Sequence, residues 1–387
     1  MKYNKYIIEI DKGLRRKIHL LITGLYIGPG SFGGIVNFNR VFLKYINSKA
    51  FEFHFFSLGK NPNWYKGSEK VIKYKYYLSL FPTVIKYIYL IFKKRIDVVH
   101  INSGLSSREL LRDGFLSLIA LILGSKSCFV IHGWKENVFL NIKKKYIKRK
   151  LISLLLKAQN CIGVCSPEYK IKLENLGITS EKIFIFTNMV ETNSYLNKKV
   201  STPKSINLLF CAQPLKKEKG INEFLDSIPA IVLHFQECKF TIIGGGKKLN
   251  LFINRSKKLK IENHIEFVGY VSLQEKIKIF QKSDILIFPS YTEGFPKTIL
   301  EAMASGMAVI TTPVGGLATE IIEERNGLVI KSMPPNPTEI ASLVCQLLDN
   351  VDLLNRIKEN NILDVNSKFE AGVVSRKFEE KYCMIIE

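Results

Sequence analysis

PSYTEGFPKTILEAMASG, residues 289–306, follows the apolar run DILIF and sets two carboxylates, Glu293 and Glu301, eight positions apart. DILIFPS reads as a short buried strand and YTEG as a turn. Pro296 reads as the first residue of a helix, where its missing N–H costs nothing. Glu293 then lies in the loop at the strand's carboxyl end, and Glu301 about a turn and a half into the helix. The backbone amides near Gly294, Phe295, Lys297 and Thr298 form the positive end of that helix, a good seat for a phosphate. A carboxylate accepts hydroxyl protons on two oxygens. Acids on both sides of a phosphate cradle therefore suit two hydroxyl-rich groups joined through phosphate, as in a nucleotide sugar. In isolation the pair reads equally well as an N-terminal helix charge and a solvated helix carboxylate.

Outward from this stretch, apolar runs of strand length alternate with helical patterns, the mark of βαβ units and parallel sheets. KIHLLITG, FEFHFFS, DVVHIN, SCFVIHG, CIGVCS and KIFIF supply strands in the first half; INLLFCA, KFTIIGGG, HIEFVGY, DILIFPS, MAVITT and NGLVI supply them in the second. The polar stretch ETNSYLNKKVSTPKS, residues 191–205, reads as a linker. This gives domains at 1–192 and 193–365, with residues 366–387 as a helix returning to the first domain. With 387 residues, two domains are the natural expectation. Ligands of such sheets bind beyond the carboxyl ends of the strands, which places the expected site in a cleft between the domains.

Charge is divided unevenly. Residues 1–200 hold 34 basic and 12 acidic side chains, a net +22, against 23 and 22 in the remainder. Such a field attracts an anionic surface or polymer; a solubilising, lysine-rich surface is the plainer reading. NIKKKYIKRKLISLLLK, residues 141–157, interleaves Ile142, Tyr146, Leu151, Leu154 and Leu155 with Lys143, Lys144, Lys145, Lys148, Arg149 and Lys150 at helical spacing. It suits an acidic lipid surface as well as an ordinary helix on its own core. The apolar stretch at 76–92 is interrupted by Pro82 and Lys86 and falls short of the ~20 residues of a membrane span. The charged opening MKYNKYIIEIDKGLRR lacks a signal-peptide core, so a cytoplasmic chain is expected. Seven scattered cysteines without a CxxC pair argue against disulfides and zinc alike.

The segment SDILIFPSYTEGFPKTILEAMASGMAVITTPVGGLATEII, with most of the chain from Lys182 onward, resembles the retaining glycosyltransferases of family 4, with its E-x7-E segment and following Gly-rich turn. The resemblance implies an α/β GT-B fold, two facing Rossmann-like doubly wound parallel-sheet domains. It implies that Glu293 contacts the donor sugar's hydroxyls, that the amides of Gly294 and Phe295 hold sugar and diphosphate, and that Glu301 holds the ribose. GPGSFGGIVNFNRVFLKYI is similar to the family's first Gly-rich loop, making Gly33 and Gly34 donor-binding candidates, and FVIHGW makes His132 a candidate donor-sugar contact. The stretch ending TNMVE aligns Asn188 and Glu191 with the outer residues of the family's Asn-Gly-Val-Asp. In FCAQPLKKEKGINEFL, Lys219 matches the second diphosphate cation, while Gln213 stands where arginine is usual. A neutral amide there weakens anion binding, and Lys216 or Lys217 could compensate or be solvated turn residues. Gly244 to Gly246 and, more weakly, Val268 to Tyr270 complete the candidates.

No D-x-D, HExxH, GxSxG or GxxxxGK[ST] occurs, so metal-diphosphate, metalloprotease, hydrolase-elbow and P-loop chemistries lack their signatures. The expectation is a hexosyltransferase-type enzyme without metal or cofactor. It would move a sugar with retention from a nucleotide diphosphate, UDP by family habit, to an acceptor hydroxyl. The expected acceptor is a lipid-linked oligosaccharide of surface polysaccharide synthesis, met by an enzyme peripheral to the cytoplasmic face of an anionic membrane and without nucleic acid. A nucleotide-sugar epimerase or phosphorylase on the same architecture, and a non-catalytic polyanion-binding protein on a degenerate transferase scaffold, are the rivals.

Overall fold

The computed structural model describes residues 16–24, 34–47, 49–58, 69–134, 136–196 and 206–387. The chain forms two compact units: one runs to Thr187 and takes in Ala371–Glu387, and the other is Asn188–Glu370.

In the first unit, β1 (Ile18–Gly24), β2 (Phe51–Ser57), β3 (Val98–Ser103), β4 (Lys126–Ile131), β5 (Cys161–Val164) and β6 (Ile183–Ile185) form one sheet in the order β2-β1-β3-β4-β5-β6. Every pairing is parallel, which forces each connection to cross over, here through helices. β3 is buried along its whole length, as a strand covered on both faces must be. The helix Ser107–Ile122 begins where Ser106 accepts from the Glu109 amide at 3.2 Å, an ordinary N-cap.

The basic segment at 141–157 is not one helix but parts of two, Glu136–Lys144 and Tyr146–Lys157, separated by Lys145 in an extended conformation. That break turns a different stripe inward. Ile152 and Leu156 are buried, whereas Tyr146, Ile147, Leu151 and Leu154 are exposed. No helix of the described residues is long and apolar enough to cross a membrane.

The second unit's sheet comprises β7 (Asn207–Cys211), β8 (Lys239–Ile243), β9 (Ile265–Gly269), β10 (Ile285–Phe288), β11 (Ala308–Thr311) and β12 (Leu328–Val329), in the order β12-β11-β10-β7-β8-β9. All its pairings are parallel as well. The order runs outward in both directions from the β7/β10 pair, so the chain's topological switch point lies between the loops that leave those two strands. β10 and β11 are buried throughout, and Phe210, Phe224 and Phe240 fill the core on one face.

Part of the stretch read as a linker is built into this unit. Thr192–Tyr195 is a short helix whose ends, Thr192 and Tyr195, are both buried. Residues 197–205 lie outside the described residues.

The helix Ala371–Ile386 belongs to the first unit. Phe378 is fully buried, with its ring 5.8 Å from Phe38, 5.4 Å from Phe42, 5.5 Å from Phe184 and 5.4 Å from Phe186. The buried Glu379 carboxylate accepts from the Asn47 amide at 2.6 Å, just past the helix Gly34–Tyr45. Truncating Phe378 empties the middle of this cluster. Phe378→Ala should cost about 3 to 5 kcal/mol in denaturant unfolding; a loss under about 1 kcal/mol, typical of surface changes, would contradict the packing.

Candidate active site

Lys219 and Glu293 meet at the switch point of the second unit. After β7 the chain passes Gln213, Lys216 and Lys217, all exposed, and enters the tight turn Lys217–Lys219. Gly220 follows with φ +75, and a Cβ there would collide with the Pro289 carbonyl. Only glycine combines that backbone with that approach. The close contact lets the β7 and β10 loops be stitched together: the Tyr291 amide donates to Glu218 O at 3.0 Å, and Tyr291 Oη donates to Glu223 Oε1 at 2.8 Å.

Across this seam the Lys219 ammonium pairs with the Glu293 carboxylate, whose Oε1 also lies 2.9 Å from Ser290 Oγ. Lys219 retains part of its exposure, and an ammonium has three protons, so the ion pair leaves it donors for a second anion. The loop bearing Glu293 is held from behind. Gly315 has φ +58, and a Cβ on it would strike the Glu293 and Gly294 carbonyls; the Gly316 amide donates to Gly294 O at 2.8 Å. Phe295 is buried against Phe369 with ring centres 5.6 Å apart, and Asn188 Nδ2 donates to the Phe295 carbonyl at 3.1 Å.

The helix of the opening segment spans Lys297–Ala304, with Pro296 as its cap rather than its first residue. Glu301 is 3% exposed. It pairs with Lys276 through Oε2, accepts from Tyr195 Oη at 2.9 Å through Oε1, and has Lys297 Nζ at 3.9 Å. Burial pushes its carboxyl pKa up, but Lys276 and then Lys297 outweigh burial, and the net direction is downward. Burial likewise pulls Lys276 down, yet the Glu301 charge carries it above the ordinary lysine range. Glu301 is therefore an anion locked in place, not the solvated helix residue of the simplest reading. An ionised carboxylate has about four lone-pair directions, so these partners leave it able to accept further hydroxyls.

Gly244 is buried, has φ +141, and donates its amide to Gly269 O at 2.8 Å; a Cβ would run into Ala212 O and Leu215. Packing of strand ends accounts for this glycine without a ligand.

In the first unit, Gly33 lies outside the described residues, and Gly34 begins its helix exposed, with open space where a Cβ would be. His132, just past β4, is half-buried between the rings of Phe38 and Phe186 at 4.5 and 5.3 Å, with Nε2 2.5 Å from Asn102 Oδ1. Burial and then the neighbouring His100 lower its pKa to about 3. The structure thus gathers Glu293, Lys219, Gly294 and Phe295 around one loop of the second unit, sets Glu301 on the buried face of the following helix, and places His132 and Gly34 in the first unit. Sequence reasoning passed over Tyr195, Lys276, Ser290 and Asn102. Lys276 is one lysine among several in QEKIKIFQK, and Tyr195 sat in the presumed linker, so neither carried a signal.

The family model described as glycosyl transferases group 1 matches residues 195–364. An uncharacterized glycosyltransferase of Methanocaldococcus jannaschii is 26% identical over 236 residues, 61% of this chain and 60% of that one; the chain spans about three fifths of that relative's length. The N,N'-diacetylbacillosaminyl-diphospho-undecaprenol alpha-1,3-N-acetylgalactosaminyltransferase of Campylobacter jejuni is 22% identical over 284 residues, covering 69% of this chain and 70% of its own. Among solved structures, Anabaena HepE in complex with UDP and glucose superposes with a TM-score of 0.70 at 14% identity, covering 94% of this chain and 98% of its own. Residues 195–364 therefore match the glycosyl transferases group 1 family, in a chain whose two Rossmann-like units make up the GT-B fold.

Proposed function

We propose that the protein transfers a sugar from a nucleotide diphosphate to an acceptor hydroxyl, with retention at the anomeric carbon and without a metal. The observation that carries this reading is the Lys219–Glu293 pair at the switch point of the second sheet, followed in the chain by a helix that carries the buried anion Glu301. The ammonium and the helix amides supply positive charge where a leaving diphosphate develops negative charge, the service a metal would otherwise render. Glu293 and Glu301 offer acceptors to sugar and ribose hydroxyls. In the transfer, the acceptor oxygen bonds to the anomeric carbon as the bond from that carbon to the diphosphate oxygen breaks, and the acceptor's proton passes to the departing diphosphate. The chain's own share is positioning and charge stabilisation.

Uridine diphosphate is the proposed carrier, in keeping with the UDP held by the structurally similar HepE. A lipid-linked oligosaccharide is the proposed acceptor, in keeping with the diphospho-undecaprenol named in the Campylobacter relative. With radiolabelled UDP-sugars, an undecaprenyl-diphosphate-linked acceptor and EDTA present, the product should keep the donor's anomeric configuration. Glu293→Gln should lower kcat by about 10² to 10³-fold, the scale of one lost transition-state contact. Inverted product, or activity abolished by EDTA, would contradict the mechanism; donor altered without acceptor product would favour an epimerase.

The same reading places the first unit against an anionic membrane. Tyr146, Ile147, Leu151 and Leu154 are exposed on the helix Tyr146–Lys157, among Lys145, Lys148, Arg149 and Lys150. Phe81, Ile85, Tyr89 and Phe92 are exposed at helical spacing on Glu69–Lys94. Apolar side chains flanked by lysines suit the boundary between acidic headgroups and acyl chains. The protein should sediment with phosphatidylglycerol-containing vesicles and not with pure phosphatidylcholine. Ile147→Ser/Leu154→Ser should weaken that binding about tenfold; unchanged binding would remove this helix from the membrane surface.

A further inference from the structure

The first unit contains a chain of buried polar groups that the transfer chemistry above does not use. Asn102, at the carboxyl end of β3, is 3% exposed and sits at its centre. Its Nδ2 donates to the Thr23 carbonyl at 2.8 Å and to Asn39 Oδ1 at 2.9 Å. A backbone carbonyl can only accept, so the amide cannot be flipped. Asn102 Oδ1 therefore faces His132 Nε2 at 2.5 Å and His100 Nε2 at 3.0 Å. An amide oxygen can only accept, so both rings carry a proton on Nε2.

The remaining ring nitrogens follow. Burial lowers His100 to a pKa of about 4, against an opposing contribution from its Asn102 hydrogen bond, and burial and then His100 lower His132 to about 3. Both imidazoles are neutral at neutral pH, and each Nδ1 is an acceptor. His100 Nδ1 accepts a hydrogen bond from the Tyr382 hydroxyl at 2.5 Å, from the helix Ala371–Ile386. Among the described residues, His132 has a hydrogen-bond partner on Nε2 alone, so its Nδ1 is left as an acceptor.

We infer that Asn102 is a positioning residue: it fixes His132 as the neutral Nε2–H tautomer, so that the ring offers Nδ1 as a hydrogen-bond acceptor rather than as a cation or a donor. The phenylalanine rings at its sides hold the plane of the imidazole, and the amide holds its proton. The use of that acceptor for a hydroxyl of the transferred sugar rests on the transferase reading; the tautomer does not.

The test is two-bond proton–nitrogen NMR on the uniformly 15N-labelled full chain from pH 8 to 5, without substrate, with His132 and His100 assigned from His132→Gln and His100→Gln. The wild-type protein should show His132 protonated on Nε2 alone across the range. Asn102→Asp puts a carboxylate in place of the amide oxygen and should raise the His132 midpoint by about 1 to 3 pH units. Asn102→Ala should leave a mixture of tautomers. A wild-type His132 protonated on Nδ1, or an imidazolium at pH 7, or an Asn102→Asp spectrum with His132 unmoved, overturns the assignment. If the Asn102 variants fail to fold, the wild-type spectrum decides together with Tyr382→Phe, which should shift His100 Nδ1 and leave the His132 tautomer as it was; a changed His132 tautomer there also overturns it. Because no substrate is used, loss of the transferase reading would leave this result standing.

Discussion

A carboxylate with 3% of its surface exposed cannot remain charged without a partner, and Glu301 remains charged because Lys276 reaches it. Much of the second unit is arranged around that pair. Tyr195 brings the first residues of the unit onto the helix Lys297–Ala304, and Lys276 brings in the helix Leu273–Lys282. Such a pair contributes little net stability compared with an apolar replacement, while loss of one partner is expensive. Its value lies in fixing a negative charge at one position on the helix that follows the β10 loop.

The geometry of the loops around Glu293 is set by close backbone contacts. Gly220 against Pro289, and Gly315 against Glu293 and Gly294, bring three loops within hydrogen-bonding distance at positions where a side chain would force them apart. Glu293 and Lys219 consequently face each other, and that pairing orients the cation proposed for the diphosphate. Preorganised charge of this kind is worth most because nothing has to rearrange as the leaving group departs.

The strand pattern was legible because parallel sheets bury their strands on both faces, leaving apolar runs such as DILIF and DVVHIN that stand out from amphipathic helices. The E-x7-E stretch was legible for a related reason: a strand end, a turn and a helix start must follow one another in sequence to make it. What could not be read was whatever depended on distance in space. Nothing in QEKIKIFQK distinguishes Lys276 from its neighbours, the break at Lys145 has no proline or glycine to mark it, and Tyr195 lies in a polar stretch that resembles a linker. Asn102 was hidden in the same way, because its partners come from β1, β3, the residue just past β4 and the helix Gly34–Tyr45. Gly244 was legible as a special residue, but strand packing explains it.

The most direct measurement is calorimetric binding of uridine, guanosine, adenosine and thymidine diphosphates to the wild-type chain and to Lys219→Ala, without added metal. One of the four should bind the wild-type protein and lose about 1.5 to 3 kcal/mol in the variant, the scale of a hydrogen bond to a charged group. Binding of none, or equal binding by both proteins, would contradict the assignment of Lys219 and the β10 loop as a diphosphate site.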